Sequence, residues 1–91
     1  MSKPSNDELK IALQKAAEIK EHDADPYFVS KVLLNHHYRL GYLEEVLHAA
    51  DRFINHGMSD SDRINLIRAI NRANDAEDRS AGTHHDRFGL E

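Results

Sequence analysis

Apolar residues recur every three or four positions along the chain, in stretches separated by short polar segments. This spacing matches one face of an α-helix, and no sustained alternation of the kind seen in strands competes with it. The pattern predicts helices over residues 5–22, 26–40, 42–56 and 59–76, followed by a polar tail over residues 77–91. We therefore predict an all-α fold: one small four-helix, antiparallel, bundle-like domain over residues 1–76 with a disordered C-terminal tail. The alternative is three packed helices with a loosely attached first helix.

Capping signals mark the predicted helix ends. Ser5 and Ser59 suit N-cap positions because a hydroxyl accepts a hydrogen bond from the free N–H groups of the first turn. Asp25 followed by Pro26 predicts the start of the second helix. Gly41 predicts its end, because glycine readily adopts the left-handed conformation that closes a helix.

Composition narrows the function classes. The 12 Lys+Arg against 16 Asp+Glu give a net charge of -4, which disfavours nucleic-acid binding driven by total charge. The absence of cysteine excludes a thiolate zinc site and a cysteine nucleophile. No apolar run approaches the roughly 20 residues of a membrane span. With no secretory leader visible either, we expect a cytoplasmic protein without membrane association.

The second predicted helix carries two apolar stripes. We expect one to form the main core face, consisting of Phe28, Val29, Val32, Leu33, His36 and Leu40. The other lies on nearly the opposite side and consists of Tyr27, Leu34 and Tyr38, with Tyr42 nearby.

Two apolar faces on one helix have two explanations. Either the helix is central and packs on both sides, or the stripe of Tyr27, Leu34 and Tyr38 with Tyr42 meets a partner. Tyrosine suits an interface because the ring buries a large area while the hydroxyl stays hydrated. We therefore expect a non-enzymatic helical interaction protein that self-associates, as a homodimer, or binds another protein through this stripe.

The last predicted helix offers an alternative function. Arg68 and Arg72 fall on one of its faces with Asn65 beside them, and Arg79 joins that face if the helix extends beyond residue 76. Such side chains contact phosphates and base edges, so the second hypothesis is a nucleic-acid-binding accessory protein. The more ordinary interpretation is a solvated face whose arginines pair with neighbouring acidic residues.

Histidine is frequent, but no specific metal site is predicted. His36 falls on the core stripe, where a hydrogen-bonded core residue is the ordinary interpretation and a metal or ligand carrier is the third hypothesis. Glu45 and His48 form a Glu-x-x-His motif that lacks the second copy a di-metal bundle needs, and His84-His85 lie in the predicted tail. No nucleophile elbow, phosphate loop or dinucleotide fingerprint is present, so we expect no catalytic residue and no cofactor.

Overall fold

The computed structural model describes residues 2–82. These residues form three α-helices and no strand: α1 (Asn6–Glu21), α2 (Val29–Asn55) and α3 (Asp60–Ala81). The all-α prediction is confirmed, but the four-helix arrangement is not, because the second and third predicted helices are one continuous helix. Residues 77–81, predicted as tail, belong to α3, and residues 83–91, with the His84-His85 pair, lie outside the described residues.

The described residues divide into two compact units, and the boundary falls inside α2, between His37 and Tyr38. In the first unit, Ser5 caps α1 as predicted and forms a capping box with Glu8. The Glu8 N–H donates to Ser5 Oγ at 3.1 Å, and the Ser5 N–H donates to Glu8 Oε1 at 2.8 Å. One side of α1 is buried or half-buried, through Leu9, Leu13, Ala16 and Ile19.

The start of α2 follows the predicted capping signal but lies three residues later. The Asp25 carboxylate accepts hydrogen bonds from the backbone N–H groups of Ser30 at 3.1 Å and Lys31 at 3.0 Å. Asp25 therefore satisfies free donors of the first turn, although the helix begins at Val29 rather than Pro26.

The delayed start has a backbone cause. Phe28 has φ 60°, in the left-handed region, so the segment before α2 cannot be part of a right-handed helix. Tyr27 consequently lies in the loop before α2 and not on a face of that helix.

The predicted break at Gly41 does not occur, and α2 continues through it. The left-handed glycines are Gly57, with φ 78° in the turn between α2 and α3, and Gly82, with φ 74° at the C-cap of α3. A helical glycine costs about 0.5–1 kcal/mol relative to alanine, which is small beside the packing of a long helix.

In the second unit, residues 38–55 of α2 and the whole of α3 form an antiparallel hairpin. Cross-helix pairs run in opposite order along the two helices: Tyr38 with Arg79, Arg39 with Glu77, and Glu45 with Arg72. Ser59 caps α3 as predicted, accepting from the Asp62 N–H at 3.2 Å.

The buried residues of this hairpin are small. Ala69, Ala73 and Ala76 are buried on α3, whereas no large side chain among residues 2–82 is fully enclosed. Spacings of four and three residues put these alanines on one face of α3. Among the described helices, none has a stretch both long and apolar enough to cross a bilayer.

Candidate functional site

The stripe of α2 that the sequence assigned to the core faces solvent. Phe28, Val29, Val32, His36 and Leu40 are all exposed, and Leu33 is half-buried. The core assignment is therefore wrong for most of this stripe, and His36 is not a core histidine. In the first unit, the buried or half-buried residues of α2 are Ser30, Leu33, Leu34 and Asn35, so its packed side is not the predicted stripe. In the second unit, α2 meets α3 through Tyr38 and Tyr42.

Tyr38 and Tyr42 belong to a cluster that ties the end of α3 to α2. The Arg79 guanidinium donates from Nε to the Tyr38 hydroxyl at 2.8 Å and lies 6.0 Å from the centre of the Tyr42 ring. The two tyrosine rings meet edge to face, with their centres 5.3 Å apart. The hydrogen bond to the Tyr38 hydroxyl raises the pKa of Arg79 above its ordinary value. Both rings thus have partners within the chain.

The other two residues of the predicted partner stripe have different surroundings. Tyr27 is 84% exposed in the loop before α2, and Leu34 is half-buried in the first unit. Of the four residues predicted to bind a partner, the structure brings Tyr38 and Tyr42 into mutual contact.

An apolar and exposed row of α2 begins at Leu40, the last residue of the stripe that the sequence assigned to the core. Large side chains along it are 48–70% exposed, and its residues follow spacings of three, four, three and four: Leu40, Leu43, Leu47, Ala50 and Ile54. This is the spacing of a coiled-coil seam. We call these five residues the α2 seam. On α3, Ile67 and Ile70 are 43% and 41% exposed.

A charged groove between α2 and α3 shows on which side of the hairpin the seam lies. The groove has a volume of about 660 Å³ and lies between α2 and α3, lined among others by Glu44, Glu45, His48, Arg52, Asn65, Arg68 and Arg72. Across it, Arg72 Nε donates to Glu45 Oε1 at 3.1 Å. Because both helices contribute, these polar residues define one side of the hairpin.

At about 100° per residue, Leu43 and Leu47 are turned well away from the groove-lining residues of α2. Ile67 and Ile70 are turned away from the groove-lining residues of α3 in the same manner. The α2 seam, Ile67 and Ile70 therefore share the opposite side of the hairpin. We call this set of residues the apolar face.

The predicted arginine set is divided between two places. Asn65, Arg68 and Arg72 line the charged groove together, whereas Arg79 contacts the tyrosine cluster. Sequence reasoning missed Arg52, which lines the same groove from α2. The register of the hairpin brings Arg52 opposite Asn65, and no spacing within a single helix reveals this.

Two further sets of charged residues are the Glu-x-x-His motif, which lies at the groove, and one ion pair between α2 and α3. Glu45 and His48 both line the groove, with Glu45 paired to Arg72. Arg39 Nε lies 2.8 Å from Glu77 Oε2, and that hydrogen bond raises the pKa of Arg39. Within residues 2–82, no group of three or more histidine, aspartate or glutamate side chains is placed to hold a metal ion.

No family model, curated protein or solved structure matches this chain. Its function has to be inferred from the two sides of the hairpin.

Proposed function

We propose that this protein is a non-enzymatic helical interaction protein that binds a protein partner through the apolar face. The observation that carries the proposal is the exposure of six large apolar side chains on one side of the hairpin: Leu40, Leu43, Leu47, Ile54, Ile67 and Ile70. Single exposed apolar residues are common on soluble proteins, but contiguous patches of this kind mark interaction sites.

The energetics favour a partner on this face. Each Å² of apolar surface removed from water contributes about 25 cal/mol, so covering several half-exposed leucines and isoleucines supplies a substantial driving force. The seam residues themselves carry no charge. The tyrosines first expected to bind a partner are less suited, because Arg79 already occupies Tyr38 and Tyr42.

Thiol labelling in the native host cell tests whether a partner covers the apolar face. The chain has no cysteine, so one introduced thiol is unique. Leu47→Cys probes the face, and Ile11→Cys on α1 is a matched control because the two side chains are 70% and 67% exposed. If only the unbound chain reacts and about 90% of the chain is bound, the labelling rate falls about tenfold. We therefore expect a maleimide to label Leu47→Cys about tenfold more slowly than Ile11→Cys. Equal labelling rates in the cell would contradict the proposal.

The charged groove supports a second candidate function, nucleic-acid binding. Arg52 and Arg68 line the groove from opposite helices beside Asn65 and Arg72, and guanidinium groups bind phosphates. Glu44 and Glu45 line the same groove and weaken this candidate.

Anisotropy of a labelled single-stranded or duplex oligonucleotide tests the second candidate. Binding through Arg52 and Arg68 should weaken steeply with added salt and be lost in the double variant Arg52→Ala/Arg68→Ala. Arg63→Ala is the control, since Arg63 pairs with Asp60 outside the groove. No anisotropy change at low salt removes the nucleic-acid candidate.

A further inference from the structure

We propose that the partner on the apolar face is a second copy of this chain, so that two α2–α3 hairpins pack face to face as a four-helix bundle. This inference rests on the proposed function and names the occupant of the same surface.

The repeat of the α2 seam is the first argument. Leu40, Leu47 and Ile54 are spaced seven residues apart, and Leu43 and Ala50 fill the two intervening seam positions. A seven-residue repeat with apolar first and fourth positions is the pattern by which one helix packs along another helix with the same repeat. Within the hairpin α3 leaves this seam exposed, and a second α2 supplies the matching repeat.

The size of the apolar face is the second argument. Its six large side chains are 41–70% exposed, which amounts to on the order of 500 Å² of apolar surface per copy. Two copies together cover on the order of 1,000 Å², the lower bound for a specific interface. Met58 and Ile64 are exposed as well and add to the rim if the contact extends towards the turn. A face of this size fits a reversible dimer.

The shallow core of the hairpin is the third argument. Its buried residues are Ala69, Ala73 and Ala76, so the larger apolar side chains remain partly hydrated. Four-helix bundles place such seam residues between two helix layers. A second hairpin adds the missing layer, and the charged groove of each copy stays on the outside.

Sedimentation of the full chain over about 1 μM to 1 mM tests the inference, because interfaces at this lower size bound belong to weak, transient contacts. We expect the apparent mass to rise from 10.4 kDa towards twice that value. Leu47→Asp should raise the dissociation constant by about 30-fold or more, as expected for a central interface residue. Ile11→Asp introduces the same change at an equally exposed position of α1 and should associate like the wild type.

Two additions keep the test decisive. Circular dichroism checks that Leu47→Asp keeps its helix content, and Leu43→Lys repeats the test at another exposed seam position if it does not. In the purified protein, the thiol of Leu47→Cys should react more slowly as concentration rises, whereas that of Ile11→Cys should not.

The outcomes separate this inference from the proposed function. A wild-type chain that stays monomeric to 1 mM, or a dimer that persists in both Leu47→Asp and Leu43→Lys, overturns self-pairing. If the chain is monomeric but Leu47→Cys is protected in the cell, the second copy is wrong and the proposed function stands. If the chain is monomeric and that thiol is fully reactive in the cell, both fail.

Discussion

At the scale of single residues, alanine determines how α3 packs. Ala69, Ala73 and Ala76 are the buried side chains of the hairpin, and Ala76 has no exposed surface. Because alanine extends only one carbon from the backbone, a buried face of alanines leaves little room for added atoms. The packed side of α3 is thus recognised by its small residues, whereas its isoleucines are exposed.

Ala76→Leu tests this close packing. The three added carbons have no space at a fully enclosed position, so we expect the free energy of unfolding to fall by about 1–3 kcal/mol. Urea denaturation at one fixed protein concentration measures the change, since association would otherwise contribute. Ala17→Leu, at an exposed position of α1, is the matched control and should leave stability nearly unchanged. Equal effects of the two substitutions would contradict the packing described.

Tyr38 provides a second test at the residue scale, because sequence and structure give it different roles. The sequence places Tyr38 on a partner-binding stripe, whereas in the structure its hydroxyl accepts a hydrogen bond from Arg79. We expect Tyr38→Ala to lower the melting temperature, since it removes contacts to Tyr42 and Arg79, without changing the concentration at which the chain associates. If sedimentation shows that Tyr38→Ala no longer associates while thermal unfolding shows unchanged stability, Tyr38 belongs to a partner interface, as the sequence predicts.

At the scale of elements, the continuity of α2 through Gly41 predicts that alanine at this position stabilises the chain. Gly41 is not in the left-handed region, and a Cβ built there meets no atom within 4 Å. Gly41→Ala should therefore raise the free energy of unfolding by about 0.5–1 kcal/mol. Gly57→Ala is the contrasting variant, because Gly57 has φ 78° and alanine is strained there. If Gly41→Ala destabilises the chain in urea denaturation, a helix break at Gly41 is the better description.

Local signals predicted the starts of α1 and α3 correctly, but not the number of helices. Ser5 and Ser59 are caps in the structure because capping depends on residues only three positions away. Gly41 misled the prediction because its conformation depends on whether the helix continues, and that is decided by packing across the whole length of α2.

The candidate site was less predictable than the helices. Periodicity finds two apolar stripes on α2, and both have the composition of a core. Which side of α2 packs inside the hairpin depends on α3, whose Arg79 contacts Tyr38 and Tyr42, whereas Leu43 and Leu47 stay exposed. The groove that unites Arg52 with Arg68 likewise exists only once the hairpin register is set. Neither the packed side of α2 nor the grouping of Arg52 with Arg68 can be deduced from the sequence of one helix alone.

At the scale of the whole molecule, the proposed dimer couples folding to concentration. If covering the α2 seam supplies much of the burial that the alanine-lined core lacks, the folded dimer is favoured by mass action. We expect the melting temperature to rise by about 5 °C or more when the concentration increases about 100-fold.

Thermal unfolding followed by circular dichroism at several concentrations measures this shift. Leu47→Asp should remove most of the dependence, because it places a charge in the seam, whereas Ile11→Asp should keep it. A melting temperature independent of concentration would mean that the monomer is already as stable as its assembly. In that case the exposed leucines of α2 would have to be explained by a partner other than a second copy.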